Sequence, residues 1–269
     1  MQRIQRLGHT QAHDEVSRVV LKALSYVAPT LQQGEYVRKP LESYLSQLFD
    51  ALLKPGLDGL NDVISGMRKA HIGNAVIVDR YVPTLADRLG DAWAEDTLDF
   101  AAVTIATARL QALVKRLELA WEAPEGAVGD IRPACLVGVP LGVQHTLGST
   151  ILVSQLRQKG VYVQFSLELC CDSLREEMRR QSFAAVMLSV SSKDHLDLAR
   201  SLVACSHAES RSTPVIIGGG VLEDVADILE YTGADFATSD VGEAMTFAGM
   251  ATTQIPIAGV GFASGVIRR

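Results

Sequence analysis

The amino-acid sequence predicts an α/β protein, in which an N-terminal bundle of helices precedes a doubly wound parallel sheet of five strands. Three observations lead to this prediction. Apolar residues recur with helical spacing over 41–122. A linker rich in Gly and Pro follows at 123–133. Beyond the linker, over 134–255, short apolar runs alternate with amphipathic segments, which is the pattern of βα units.

The composition indicates a folded protein and argues against some classes of function. Of 269 residues, 48% are hydrophobic and 21% are charged, and the formal net charge is −6. A net negative charge disfavours binding to nucleic acid through the overall field, so we expect little or no direct nucleic-acid binding. The N-terminus has no apolar run and no stretch is long enough to span a membrane. We therefore expect a cytoplasmic protein.

The four cysteines form no C-x-x-C pair. Two of them are neighbours that cannot easily share one tetrahedral metal. We interpret all four as reduced, mostly buried thiols: Cys135, Cys170, Cys171 and Cys205.

Four segments of the N-terminal part have helical periodicity and are separated by turn signals. They cover 41–53, 59–71, 74–95 and 98–121. Pro83 falls inside the third segment, where it should open or kink the helix. Short links between such helices predict an antiparallel bundle. Ahead of it, residues 1–40 contain one weaker helical stretch and are expected to be partly helical or mobile.

Five apolar runs of the C-terminal part predict the strands of the sheet. They cover 134–141, 161–167, 184–190, 214–220 and 234–240. Helices are expected over 147–158, 172–180, 194–206, 222–231 and 241–251. Right-handed crossovers favour the strand order 2-1-3-4-5. The Gly-rich residues 256–269 are expected to form a tail.

Ligands of such sheets bind outside the carboxyl ends of the strands, where three predicted loops converge. The loop over 142–149 contains His145 and small residues, the loop over 189–194 contains serine hydroxyls, and 218–220 is a run of glycines. A neutral imidazole beside small residues suits a wide, flat ligand with a trailing tail. The dinucleotide motif G-x-G-x-x-G and the P-loop motif are both absent.

These loops resemble the signature of cobalamin-binding domains, which is D-x-H-x-x-G, then S-x-L, then a GG pair. The matching residues are Val143–Gly148, Ser189–Ser191 and Gly218–Gly219. The resemblance implies a flavodoxin-like, Rossmann-like domain. In it, His145 binds cobalt through Nε2 as the lower axial ligand, and the displaced benzimidazole tail of cobalamin occupies a slot beside the sheet. The motif's aspartate is replaced by Val143, so the carboxylate that usually tunes the metal-bound histidine is missing.

Residues 81–110 resemble the helical cap of light-sensing, MerR-type cobalamin repressors. The L-G-x-x-W element of those caps is present and ends at Trp93, whereas their Glu-His pair falls on Val103 and Thr104. On both resemblances, the candidate metal ligand is His145, no residue is a candidate catalyst, and the candidate cofactor-binding residues are Trp93, Val143, His145, Thr146, Leu147, Gly148, Ser149, Ser189, Val190, Ser191, Gly218, Gly219 and Gly220.

A cap, a histidine without its aspartate, and no DNA-binding or enzymatic module together resemble the AerR/PpaA proteins of purple photosynthetic bacteria. This resemblance implies a non-enzymatic, light-linked regulator that binds adenosylcobalamin or hydroxocobalamin. It also implies a partner, a CrtJ/PpsR-type repressor of photosystem genes, on which the protein acts as an antirepressor. A corrinoid carrier for a methyltransferase and a haem-binding sensor of the same lineage are the alternatives.

The residue types alone also allow simpler interpretations. A single loop histidine is usually solvated, and Trp93 alone is more often a core aromatic. Ser191 and its neighbour Ser192 could cap the next helix. The three glycines could form a tight turn. His195 and His207 are expected on the solvated surface.

Overall fold

The computed structural model describes residues 41–119, 133–225 and 227–250. The predictions for residues 1–40 and 256–269 therefore lie outside the described residues. Helices make up the first described range, and a parallel sheet with its flanking helices makes up the rest. Within these ranges, every helix is too short or too polar to cross a membrane.

The helices of the cap, which we define as residues 41–119, lie where the periodicity predicts them. They are α1 (Glu42–Leu53), α2 (Asp58–Lys69), α3 (Asn74–Val76), α4 (Val82–Ala94) and α5 (Phe100–Glu118), with a π turn (Ile77–Tyr81) between α3 and α4. Asp99 caps the longest of them, α5, because its Oδ1 accepts a hydrogen bond from the amide of Ala102 at 2.7 Å.

The π turn accommodates Pro83 without ending the helical run. Pro83 has no N–H to donate to the carbonyl of Asp79, so the regular α-helical hydrogen bond cannot form there. The helical turn instead contains one extra residue, and the amide of Val82 donates to the carbonyl of Ile77. The helix continues beyond the bulge, which is the usual role of a π turn inside an α-helix.

The sheet is parallel, and its order β2-β1-β3-β4-β5 confirms the predicted topology. Its strands are β1 (Ala134–Pro140), β2 (Tyr162–Leu169), β3 (Ala185–Ser189), β4 (Val215–Gly218) and β5 (Phe236–Ala237). The central strands β1 and β3 are buried almost throughout, as the continuous apolar runs predict. The edge strand β5 is shorter than predicted, with two residues.

The crossover helices are α6 (Leu147–Gln158), α7 (Cys171–Arg180), α8 (Leu196–Glu209), α9 (Val221–Asp224), α10 (Ile228–Thr232) and α11 (Val241–Phe247). A short 3-10 turn, Lys193–His195, precedes α8. The single helix predicted over 222–231 is wrong, since two short helices, α9 and α10, occupy that region. The second of them ends at Gly233, whose φ of 73° is easily adopted by glycine.

Helix α6 belongs to both halves of the molecule. Its first turns bury Leu147 and Ile151 in the same apolar cluster as the cap helices. Its opposite face buries Val153 and Leu156 against the sheet. Because the cap docks on this one helix, any ligand between the two halves lies next to α6.

Several hydrogen bonds between the cap and α6 or its first loop accompany this apolar contact, and three of them illustrate it. They join Arg157 Nη1 to Glu118 Oε2 at 2.9 Å, Gln158 Nε2 to Asp79 Oδ1 at 3.3 Å, and Gln111 Nε2 to Thr146 Oγ1 at 2.8 Å. The first is also an ion pair whose glutamate is almost fully buried. Such directional contacts fix the orientation of the cap more than they add stability.

The prediction that all four cysteines are reduced is wrong for two of them. Cys171 and Cys205 form a disulfide that joins the start of α7 to α8. These helices pack side by side on one face of the sheet, which brings together two residues 34 positions apart. Cys135 and Cys170 are free thiols, the first buried and the second half-buried.

We expect the disulfide to contribute about 2–4 kcal/mol to the free energy of unfolding, because it restricts the unfolded chain. Dithiothreitol should therefore lower the urea midpoint of the wild-type protein. The same reductant should leave a Cys171→Ser/Cys205→Ser variant unchanged, whereas Cys170→Ser should stay as sensitive as the wild type. A wild-type midpoint that is indifferent to reductant would contradict this prediction.

Candidate cofactor-binding site

His145 lies in the loop that connects the end of β1 to α6. The loop is anchored at its start, where the amide of Leu141 donates to the carbonyl of Leu169 and the amide of Val143 donates to the carbonyl of Pro140. The imidazole is half-buried at the carboxyl edge of the sheet. The position is therefore the one expected for a ligand-binding loop of a doubly wound sheet.

The environment of His145 favours a neutral imidazole. Burial lowers the pKa of His145, and the nearby ring of His195 lowers it further. None of the described residues forms a hydrogen bond with the His145 ring. A neutral ring keeps a lone pair on one nitrogen, which is what a metal ligand needs.

A cavity of about 280 Å³ separates His145 from the cap. Its cap side is formed by the end of α4 and one face of α5, and its floor is the β1–α6 loop. The lining residues are Trp93, Phe100, Val103, Thr104, Thr107, Ala108, Gln111, Gln144, His145, Thr146, Leu147 and Gly148. The structure thus brings Trp93 and His145, which are far apart in the sequence, to opposite walls of one cavity.

The chemistry of this first cavity is mostly apolar. His145 carries the one titratable side chain among the described residues that line it. Val103 and Thr104 both face the cavity, which is where the Glu-His pair of light-sensing repressors would fall. The hydroxyl of Thr104 is used within its own helix, because it donates to the carbonyl of Phe100. The described cap residues that line the first cavity therefore include no acidic or basic side chain.

A second cavity, which we name the slot, lies between α6, the ends of β3 and β4, and the loop after β5. Its volume is about 100 Å³. Three of the candidate cofactor-binding residues line it: Ser189, Gly218 and Gly219. Gly148 lines both cavities, and a Cβ atom on it would meet open space. The two cavities therefore adjoin at Gly148.

The glycines of β4 also have a structural reason to be glycine. A Cβ atom on Gly218 would lie 2.9 Å from the carbonyl oxygen of Thr238, and one on Gly219 would lie 2.7 Å from that of Val190. Gly219 has in addition a φ of +97°. The backbones of neighbouring loops thus approach these glycines closely, so their presence alone is not a sign of ligand binding.

Five of the candidate residues line neither cavity: Val143, Ser149, Val190, Ser191 and Gly220. Val143 and Val190 are buried. The hydroxyl of Ser149 donates to the carbonyl of Thr146 at 2.8 Å. Ser191 Oγ is buried without a hydrogen-bond partner among the described residues. It does not cap the following 3-10 turn, because Ser192 does so.

Some lining residues of the slot were not found from the sequence. Asp79 and Pro83 reach it from the π turn and α4 of the cap, and Gln155 reaches it from α6. Thr238 and Asp240 follow the last strand, so the rule that ligands bind at carboxyl ends of strands could have indicated them. Asp79 gave a weaker signal, a lone carboxylate in the otherwise apolar start of a helix.

The histidines predicted on the surface differ in their surroundings. His207 is partly exposed and its Nε2 lies 2.9 Å from Asp235 Oδ2. His195 is half-buried at the end of the 3-10 turn, with Nδ1 3.3 Å from Ser192 Oγ, and its charge acts on His145. The prediction of a simply solvated residue therefore missed that His195 lies near the candidate ligand.

The fold has a counterpart among solved structures. The monomethylamine corrinoid protein of Methanosarcina barkeri superposes with a TM-score of 0.60 at 15% sequence identity, and the match covers 77% of this chain and 97% of that one. At this identity the similarity shows a shared fold, including the helical part as well as the sheet. No protein-family model matches the chain.

Sequence similarity identifies a relative in a purple bacterium. The chain is 34% identical over 175 residues to an uncharacterized 20.5 kDa protein in the bchF-crtJ intergenic region of Rhodobacter capsulatus. The alignment covers 65% of this chain and 91% of that protein. The chain belongs to the family of this Rhodobacter capsulatus protein.

Proposed function

We propose that this protein binds cobalamin through His145 and regulates transcription as an antirepressor of the AerR/PpaA type. The cofactor would be held with its benzimidazole base displaced from cobalt and with the histidine in its place. The protein would itself catalyse no reaction. Its output would be an altered contact with a CrtJ/PpsR-type repressor of photosystem genes.

The observation that carries the proposal is the meeting of two cavities beside one neutral histidine. The first cavity suits a broad, largely apolar ring system between Trp93 and His145. The slot is smaller and lies between α6 and the strand ends. A flat macrocycle with a side arm matches this combination, and Gly148, which lines both cavities, has no side chain to stand between them.

The residues present fit cobalamin in a specific way. His145 has a lowered pKa and no hydrogen bond that coordination would have to break. Val143 is apolar and buried, so it supplies no carboxylate to raise the basicity of the ring. Bound alkylcobalamin would supply a cobalt–carbon bond that light can break. The chain would contribute the lower ligand, the slot and a cap that responds to the upper face.

The location of the first cavity suggests how binding would be transmitted. It lies between the cap and the β1–α6 loop, so a cofactor bound there would contact both. The position of the cap relative to α6 would then depend on what occupies the cavity. A ligand shifts such an equilibrium only through its different affinity for the two arrangements. If cobalamin is bound, the cap residues that line the first cavity would meet a different group in the dark and in the light, and this would supply the difference.

The regulatory half of the proposal is supported by the family. The gene of the Rhodobacter capsulatus relative lies between bchF and crtJ. This location associates the family with photosynthesis genes and with a CrtJ/PpsR-type repressor. A corrinoid carrier is the second candidate, since the monomethylamine corrinoid protein has the same fold. The apolar Val143 beside His145 favours the regulator, because alkyl transfer benefits from a tuned axial ligand. The haem-binding alternative is decided by the first experiment below.

Replacing His145 by alanine should lower the affinity for hydroxocobalamin by at least about tenfold, because the axial ligand is lost. The absorption spectrum of the remaining complex should also lack the features of histidine coordination. Titration with each tetrapyrrole, followed by gel filtration, measures both. His207→Ala is the matched control, since it removes a histidine outside both cavities. Unchanged affinity and spectrum in His145→Ala, or binding of haem instead of cobalamin, would contradict the proposal.

Replacing Gly148 by leucine tests the passage between the cavities without touching the ligand atom. A Cβ atom at this position meets no atom of the protein within 4 Å, and Gly148 is exposed, so the thermal midpoint should change little. The same side chain would enter the space where the cavities adjoin, so cobalamin binding should fall by at least about tenfold. Gly148→Ala should have a smaller effect. Full binding by a folded Gly148→Leu protein would show that the passage is not used.

The regulatory step predicts a cofactor-dependent complex. A CrtJ/PpsR-type repressor immobilised on a column should retain this protein when it is loaded with cobalamin, and should retain the apoprotein or the His145→Ala variant much less. Adding the loaded protein should also release the repressor from its promoter DNA in a gel-shift assay. Equal retention with and without cobalamin, or no retention at all, would contradict the antirepressor role.

A further inference from the structure

One carboxylate of the cap reaches into the slot. Asp79 lies in the π turn, and its side chain lines the slot together with Pro83 of the cap and Gly148 and Gln155 of α6. The other residues of the slot wall are Ile151 and Leu152 of α6 and residues of the strand ends, the loop after β5 and α11. The cap therefore covers the slot with a polar group as well as covering the first cavity with Trp93.

The π turn accounts for the position of this side chain. Widening the helix by one residue rotates the segment before Pro83 relative to α4. Asp79 and Pro83 are four positions apart and line the same slot. The bulge thus serves two purposes, accommodating the proline and directing a carboxylate towards α6.

The hydrogen bonds that hold the Asp79 carboxylate leave some of its acceptor positions free. Gln158 Nε2 donates to Asp79 Oδ1 at 3.3 Å, and Gln155 forms a further side-chain hydrogen bond. A carboxylate has about four acceptor positions, so these contacts leave room for another donor. Burial raises the pKa of Asp79, and the two amides counteract this effect.

We infer that Asp79 is a specificity-determining residue for the tail of the ligand, and that it binds a hydroxyl group there. This inference rests on the proposed function. An ionised carboxylate accepts hydrogen bonds and donates none. The dimethylbenzimidazole of cobalamin has no N–H group, whereas the ribose attached to it carries free hydroxyls. Asp79 would thus distinguish a corrinoid with a nucleotide tail from one without it.

The simpler role of Asp79 is a latch between the cap and α6, through the hydrogen bond with Gln158. The latch requires Gln158, whereas binding of a ligand hydroxyl by Asp79 does not. Gln158 does not line the slot, so removing its side chain breaks its hydrogen bond with Asp79, while the hydrogen bond from Gln155 keeps Asp79 in place. Gln158→Ala is therefore the matched control for Asp79→Ala, and Asp79→Asn tests whether the charge is needed.

The experiment compares the dissociation constants of cobalamin and of cobinamide, a corrinoid that lacks the nucleotide tail, by absorption titration of each variant. Asp79→Ala should weaken cobalamin binding by about ten- to a hundredfold, the effect of losing a hydrogen bond to a charged group. It should leave cobinamide binding within about twofold of the wild type. Gln158→Ala should leave the ratio of the two constants unchanged, and Asp79→Asn should give an intermediate ratio.

Four results would overturn the inference. Equal losses for both corrinoids in Asp79→Ala would assign Asp79 to the latch, as would an equally changed ratio in Gln158→Ala. No change for either corrinoid would remove Asp79 from the binding site, while the proposed function would stand. A wild-type protein that binds neither corrinoid would overturn both the inference and the proposed function.

Discussion

The structure depends on a single helix whose two faces are both buried. One face of α6 completes the apolar cluster of the cap through Leu147 and Ile151, and the other packs on the sheet through Val153 and Leu156. The helix begins directly after the histidine loop. The location of α6 therefore determines the position of His145. It also determines the shape of the first cavity and of the slot. Burial of apolar surface supplies most of the free energy that keeps the cap on α6. The polar contacts along α6 set the orientation of the cap.

In the proposed function, this arrangement would couple ligand binding to the position of the cap. The cap contacts α6 near both of its ends, through Gln111 at the first loop and through Asp79 and Glu118 at the last turn. In the proposed function, a cofactor bound above His145 would press on these apolar surfaces and rearrange at least some of these contacts. Packed interfaces of this kind have a small number of stable arrangements, so a local change at the ligand can become a change of the exposed surface.

Much of this architecture can be read from the sequence because it depends on local patterns. Apolar runs and helical periodicity identified the strands, the strand order and the cap helices, and the loop position of His145 followed from them. The disulfide could not be found in this way, since Cys171 and Cys205 meet only when α7 and α8 pack together. The split of the helix after β4 was likewise missed, because two short helices have too few turns to give a distinct period.

In the candidate site too, residues with a local sequence signal were found and residues brought together only by packing were missed. The residues of the three loops were found because each follows a strand, and Trp93 was found through a resemblance. Asp79 and Gln155 were missed because their common feature is spatial, a shared slot between the cap and α6. The glycines have a second explanation, which the sequence did not show. Gly218 and Gly219 suggested room for a ligand, yet the close approach of Thr238 and Val190 already requires glycine there.

The central claim is that the nitrogen bound to cobalt belongs to a histidine of this chain. Electron paramagnetic resonance of the cob(II)alamin complex tests it directly, because the axial nitrogen splits the cobalt signal. In protein labelled with ¹⁵N-histidine, the account predicts that the triplet from ¹⁴N becomes a doublet. A triplet that persists in the labelled protein would assign the nitrogen to the cofactor's own benzimidazole and would contradict the account.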